Sequence, residues 1–187
     1  MHVRTAGKTD GQIARELLLG HGVAEEEVDR RAVALRDAWW TAYEAGCEED
    51  LSHTVAPGVS DLLSWLADRP DVRLALLTGN LEPIARLKLA RAGLGHFFAP
   101  GQGAFGSDHE SRAELPAVAR ARAGGWPRER TAVIGDTPLD IACARADGVR
   151  VAAVATGAFG VPELGEADAA VPDARALRAV LEDWLER

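Results

Sequence analysis

The chain has 187 residues, 47% of them hydrophobic and 27% charged, which suits one ordinary folded domain or a core with a small accessory piece, not a disordered segment. A net charge of −8 disfavours non-specific binding to nucleic acid or an acidic membrane surface. No apolar run approaches the ~20 residues of a membrane span, and Met1 to Arg4 leads straight into polar sequence with no leader-like stretch. Cys47 and Cys143 lie far apart without a CxxC spacing, so no disulfide framework and no cysteine-based zinc site is read, and a cytoplasmic location is expected.

The first fifty residues read as helical. Thr9 to Gln12 fits a capping box opening a helix through Leu19, closed by Gly20 or Gly22. A second helix over 24–45 keeps Val28, Ala32, Leu35, Trp39 and Ala42 on one face. No strand is predicted before residue 70, and 50–58 reads as a linker ending in Pro57-Gly58. The pattern then changes. A helix near 59–67 precedes an apolar strand over 72–77, and a helix over 81–92 is closed by Gly93. Ser111 to Glu114 reads as a second capping box opening a helix to Ala123. A strand over 131–134, a helix over 138–146 closed by Gly148, a strand over 149–155 and a helix over 173–186 follow. His96 to Phe98 and Ala169 to Val171 are candidate edge strands. Trp39, Trp65 and Trp184 fit helical core faces. Alternating strands and helices imply right-handed crossovers and a parallel sheet covered on both faces.

In such a sheet, ligands gather at the carboxyl ends of the strands. Two strand ends carry unusual residues. At Thr78-Gly79-Asn80 an apolar strand stops at a hydroxyl, a glycine and an amide just before a helix. This arrangement could hold an anion or be a turn with an N-cap. At Gly135 to Asp140, Asp136 follows a buried strand, Thr137 can cap the next helix and Pro138 suits its first position. Asp140 lies one turn beyond Asp136, so both carboxylates can face a hard cation such as Mg2+, although Asp140 alone could serve the helix dipole. Arg112 is placed in a helical first turn, where a cation wants a compensating anion: a phosphate, or simply Asp108 or Glu110. Gly101 to Gly106 matches GxGxxG but opens no helix, so it is read as a flexible loop, and His53 and His109 are read as loop histidines.

Together, Leu76 to Asn80, Arg112 and Gly135 to Asp140 resemble the second, third and fourth motifs of the haloacid dehalogenase-like (HAD) hydrolases, closest to the phosphoglycolate-phosphatase-like branch. The spacings of 34 residues from Thr78 to Arg112 and 24 from Arg112 to Asp136 also fit. The resemblance implies a HAD-like doubly wound parallel sheet with a Rossmann-like core over 54–187, and a partial helical cap over 1–53. It implies Mg2+-dependent hydrolysis of a small phosphorylated metabolite. Thr78 would hydrogen-bond the phosphoryl group with the backbone of Gly79 and Asn80 assisting. Arg112 would stand where the family more often has Lys, Asp136 would ligate Mg2+, and Asp140 would orient that metal site.

The family's first motif, DxDx[TV], supplies the nucleophile and the general acid/base at the end of a central strand. This sequence contains no such pattern. Roughly 40 residues of strand and cap lack a counterpart, judged from ordinary element lengths. The central first strand is therefore expected to be missing between the strands ending at Leu77 and Ile134. The readings are a longer natural chain, an inactive descendant, or a strand supplied by a partner. Function is accordingly read as a HAD phosphatase by lineage. The alternatives are a non-catalytic phosphate-binding or interaction protein, and a haloacid dehalogenase-type hydrolase, against which the Asp136 and Asp140 pair argues because dehalogenation needs no cation.

Overall fold

Thr9 opens the first helix through its side chain, which accepts a hydrogen bond from Gln12 N at 3.1 Å, in a computed structural model that describes residues 5–186. The reciprocal arm of the expected capping box is absent among the described hydrogen bonds, and the Gln12 side-chain nitrogen donates to Glu16 Oε1 at 3.1 Å. Helix α1 (Asp10–Gly20) leads to α2 (Glu25–Gly46), which buries only Val28. Ala32, Leu35 and Trp39 stay half-exposed along a groove beside α1, so Trp39 is less enclosed than its helical face suggests. Trp65 and Trp184 do pack against a core cluster, as expected.

Helix α3 (Val59–Ala67) begins the alternating part. The strand expected over 72–77 is hydrogen-bonded as a ladder only at β1 (Leu77–Thr78), which pairs in parallel with β2 (Ala104–Phe105) in the register Leu77 with Ala104 and Thr78 with Phe105. Its ladder is short because its one partner is two residues long. That partner lies inside the glycine-rich segment read as a flexible loop, and Ala104 and Phe105 are 0% exposed. Two of the glycines let the backbones approach. A Cβ on Gly103 (φ +91°) would lie 2.6 Å from Leu76 O, and one on Gly106 would lie 2.0 Å from Gly79 O.

Helix α4 (Glu82–Arg91) fills the connection. The edge strand suggested at His96 to Phe98 is instead a 3-10 turn over Gly95–Phe97, with Phe97 N donating to Leu94 O at 3.2 Å. The helix expected from Ser111 is divided into a 3-10 turn, Arg112–Glu114, and α5 (Leu115–Arg122). Ser111 makes no side-chain cap. Pro116, which lacks an N–H and suits the first turn of a helix, places the α-helical start later. The remaining elements fall close to expectation: β3 (Ala132–Gly135), α6 (Pro138–Asp147), β4 (Arg150–Val154), β5 (Ala169–Val171) and α7 (Ala174–Glu186).

Strands β3, β4 and β5 form a parallel sheet in that order. Side chains alternate across it, as strand geometry requires. Val151 and Ala153 join Val133, Ile141 and Leu164 in one buried cluster, while Ala152 and Val154 join Leu62, Leu66, Leu177 and Leu181 in the other. The expected α/β architecture is therefore present, but as two half-sheets, β2-β1 and β3-β4-β5. Between β1 and β3 lies a groove of about 490 Å³, with Leu76, Leu77 and Ile134 along its edges and Leu62, Leu177 and Pro116 among its walls.

Asp147 closes α6 onto α5. Arg120 Nε and Nη2 grip its carboxylate at 2.7 and 2.8 Å, and Arg128 Nε adds a bond at 3.2 Å. The side chain of Asp147 is only 3% exposed, and the Arg120 hydrogen bonds hold its carboxyl below the usual carboxylate range. A depressed acid stabilises the fold above its ordinary pKa and loses that contribution as pH falls through the lowered value. We expect Asp147→Asn to cost about 3 kcal/mol in urea unfolding at pH 7. The gap to the unsubstituted chain should shrink below pH 3.8, the ordinary value.

Candidate active site

Both unusual strand ends lie where the chain leaves a parallel strand, and the segment 5–9 crosses between them. At the β1 end, Asn80 N donates to Thr78 Oγ1 at 3.2 Å. That bond uses an oxygen lone pair and leaves the Thr78 hydroxyl proton for another acceptor. The Asn80 side chain is committed elsewhere. Its Nδ2 donates to Asp10 Oδ1 at 3.1 Å and its Oδ1 accepts from Lys88 Nζ at 2.9 Å. Asp10 Oδ2 also accepts from Leu81 N at 2.8 Å, which satisfies an otherwise orphaned donor at the start of α4. Asp10 N donates to Gly79 O at 2.8 Å. A Cβ on Gly79 would sit 2.2 Å from Lys8 O, so only glycine admits the 8–10 backbone here.

At the β3 end, Thr137 and Asp140 form the reciprocal capping box of α6. Asp140 Oδ2 accepts from Thr137 N (3.0 Å), Thr137 Oγ1 (2.8 Å) and Asp136 N (3.2 Å). Its Oδ1 takes Arg112 Nη2 in a short ion pair. Arg112 Nη1 donates to Gly7 O at 3.1 Å, and Arg112 Nε is buried with no hydrogen-bond partner. A Cβ on Gly7 would meet Thr137 Oγ1 at 2.7 Å, so residue 7 lies directly on the α6 cap. The structure thus brings Arg112, Asp136 and Asp140 into one cluster, with Thr78 to Asn80 on the other side of residues 7–9. Sequence reading did not find Asp10, Lys88 or Gly7 at this place. Asp10 reads locally as a first-turn acidic residue, and nothing nearby in the sequence announces a partner 70 residues away.

The electrostatics single out Asp136. Arg112 is paired with Asp140, whereas the half-buried Asp136 carboxylate forms no salt bridge among the described residues and feels the Arg112 charge only as a minor influence. Burial, then the nearby Asp140 charge, pushes its acid above the ordinary range. Among the described residues no group of three or more His, Cys, Asp or Glu converges as a metal cage. The donor set therefore fits Mg2+ in part: one free carboxylate of the kind Mg2+ takes alongside waters and substrate oxygens, with Asp140 spent on orienting Asp136 and Arg112.

A raised acid in the folded state binds its proton more tightly than in the unfolded chain. Stability then falls as pH rises from the ordinary value through the raised one and stays lower above it. Asp136→Asn should therefore raise the melting temperature at pH 7 and lose that advantage near pH 3.8, the ordinary value. Differential scanning calorimetry at both pH values checks this, and an equal or lower melting temperature for the variant at pH 7 would contradict an uncompensated carboxylate.

The model of the haloacid dehalogenase-like hydrolase family matches residues 2–145, and a HAD-hydrolase-like model matches residues 111–182. No curated protein matches the chain. Solved structures share the fold. A predicted phosphatase from Clostridium acetobutylicum aligns at TM-score 0.72 and 17% identity, over 94% of this chain and 78% of that one. A hydrolase from Pseudomonas syringae aligns at 0.66 and 22%, over 96% and 80%. A Thermotoga maritima protein assigned as a beta-phosphoglucomutase aligns at 0.59 and 23%, over 68% of this chain and 59% of that one, so the chain spans less than two thirds of that relative's length. With a family model spanning most of its length and its strand ends at the positions described above, the chain belongs to the haloacid dehalogenase-like hydrolase family.

Proposed function

We propose that this protein belongs to a Mg2+-dependent phosphatase lineage acting on a small phosphorylated metabolite, and that residues 5–186 carry its phosphate-holding and charge-balancing part. The observation that supports this most is the uncompensated Asp136 carboxylate at a strand end beside the Arg112–Asp140 pair. In this reading Asp136 would hold Mg2+, with Asp140 orienting it through Asp136 N. Bound there, Mg2+ would supply neutralisation of charge on the phosphoryl oxygens. The Thr78 hydroxyl would donate to a phosphoryl oxygen, assisted by the backbone at Gly79. Asn80 would serve through its place in the turn, since its amide is taken by Asp10 and Lys88. Arg112 would lend positive charge while its guanidinium stays anchored on Asp140 and Gly7. Helices α1 and α2, within the 1–53 cap unit, would shield the site from water and select the substrate.

The attacking group is the missing part. Asp10 is consumed by Asn80 and Leu81, and Asp136 is the carboxylate left facing the strand ends among the described residues. This favours a second reading, a phosphate-binding protein without turnover. The chain of 187 residues should hydrolyse p-nitrophenyl phosphate no faster than buffer, because loss of a nucleophile forfeits several orders of magnitude in rate. Robust Mg2+-dependent turnover would show an attacking group within this chain. Calorimetric titration with Mg2+ tests the charge assignment. Binding should be lost in Asp136→Asn and weakened in Asp140→Asn, and unchanged affinity in Asp136→Asn would remove the metal from this site.

A further inference from the structure

A third strand end reaches Asp136. Strand β4 lies beside β3 with Ala153 paired to Gly135, so the two chains leave the sheet side by side. Beyond β4 the chain turns at once: Ala155 N donates to Val171 O and Thr156 N to Val154 O, both at 2.8 Å. The turn brings the exposed Gly157 against the Asp136 carboxylate. A Cβ on Gly157 would overlap Asp136 Oδ2 and stand 3.1 Å from its Cγ and 3.5 Å from its Cβ. These three nearest atoms all belong to one side chain. Gly157 does not have a positive φ, so the backbone there admits alanine. The other close glycines of the site face groups that cannot give way. At Gly79 the obstacle is the Lys8 and Thr9 backbone, and at Gly135 it is the Asp140 carboxylate, held by three hydrogen bonds and an ion pair. The Asp136 carboxylate forms no salt bridge among the described residues, so it can swing aside about χ1.

We propose that Gly157 is a positioning residue for the cation site: its lack of a side chain leaves the Asp136 carboxylate its place at the end of β3, and a side chain at residue 157 displaces that carboxylate without disturbing the fold. The inference rests on the reading of Asp136 as the group that holds Mg2+. Relieving the overlap costs the fold little. Turning one half-buried side chain into another staggered well breaks no ion pair and no strand ladder. It costs the site far more, because Mg2+ demands near-ideal octahedral geometry at about 2.0–2.1 Å and tolerates little displacement of a ligand. Groups that hold a metal ligand in place typically matter about 10- to 100-fold in metal affinity. At Gly79 the fold requires glycine, since a Cβ there strikes backbone. At Gly157 the fold does not require it and the site does. The turn after β4 thus shapes the site through a residue with no functional group of its own.

Gly157→Ala in the full chain is the test. Gly160→Ala is the control in the same turn, because a Cβ there would meet Glu163 and Pro162 only at an ordinary 3.6 Å. Both variants should melt within about 2 °C of the unsubstituted chain, as surface changes do. In calorimetric titration with Mg2+, Gly157→Ala should bind about tenfold or more weakly, and Gly160→Ala should bind as the unsubstituted chain does. A second readout needs no metal. The three-bond NMR couplings of Asp136 Cγ to its own backbone nitrogen and carbonyl carbon report χ1, and they should change in Gly157→Ala and not in Gly160→Ala. Unchanged Mg2+ affinity or unchanged Asp136 couplings in Gly157→Ala would overturn the proposal. So would equal weakening in Gly160→Ala, or a larger fall in the melting temperature of Gly157→Ala, which would make this glycine structural. An unsubstituted chain that binds no Mg2+ would instead remove the reading of Asp136 as the metal holder, and this inference with it. A failure confined to Gly157→Ala leaves that reading standing.

Discussion

The buried Asp140 carboxylate is the group on which the arrangement of the site depends. It closes the first turn of α6 through Thr137, fixes Asp136 through its backbone N–H, and holds Arg112 across the site. Arg112 in turn anchors Gly7, which lies on the Thr137 cap. A buried carboxylate is tolerable only when paired and hydrogen-bonded. Here one such group ties together the end of β3, the start of α6, the 3-10 turn at Arg112 and the segment leading into α1. Because Arg112 and Asp140 pair with each other, Asp136 is left without a salt bridge among the described residues.

A second constraint acts on the sheet. Backbone donors and acceptors that are buried must be paired, and parallel strands are normally buried on both faces. This molecule satisfies both rules within β3-β4-β5, where Val151, Ala152 and Ala153 are fully buried. The sheet pairing stops at the facing edges of β1 and β3, which border an open groove. The consequences are local. Ile134 turns to solvent. The site inherits the same discontinuity, since its two halves stand at the ends of strands that do not pair. Residues 7–9 connect them, through Gly7 on one side and the Lys8 and Thr9 backbone on the other.

Much of the architecture was legible in the sequence, because short-range spacing encodes short-range structure. Thr137 and Asp140 are three positions apart, and their reciprocal capping bonds need nothing beyond the first turn of α6. Gly148, at φ +69°, closes that helix in the left-handed conformation expected of it. The apolar runs around Val133 and Val151 became buried parallel strands, and the strand ends at Thr78 and Asp136 lie where their hydroxyl and carboxylate suggested.

Only the tertiary structure decided what those residues touch. Strand β2 was hidden because its glycines signal a loop until Leu76 and Gly79 approach within contact of Gly103 and Gly106. Asn80 looks like a free amide until Asp10, 70 residues away, and Lys88 occupy both of its ends. Arg112 looks like the first residue of a helix until Pro116 delays that helix and Gly7, 105 residues away, takes its guanidinium. Composition and periodicity report which face of an element is apolar and where it starts and stops. They carry no record of which distant backbone will come close enough to claim a donor, because that depends on how whole elements pack.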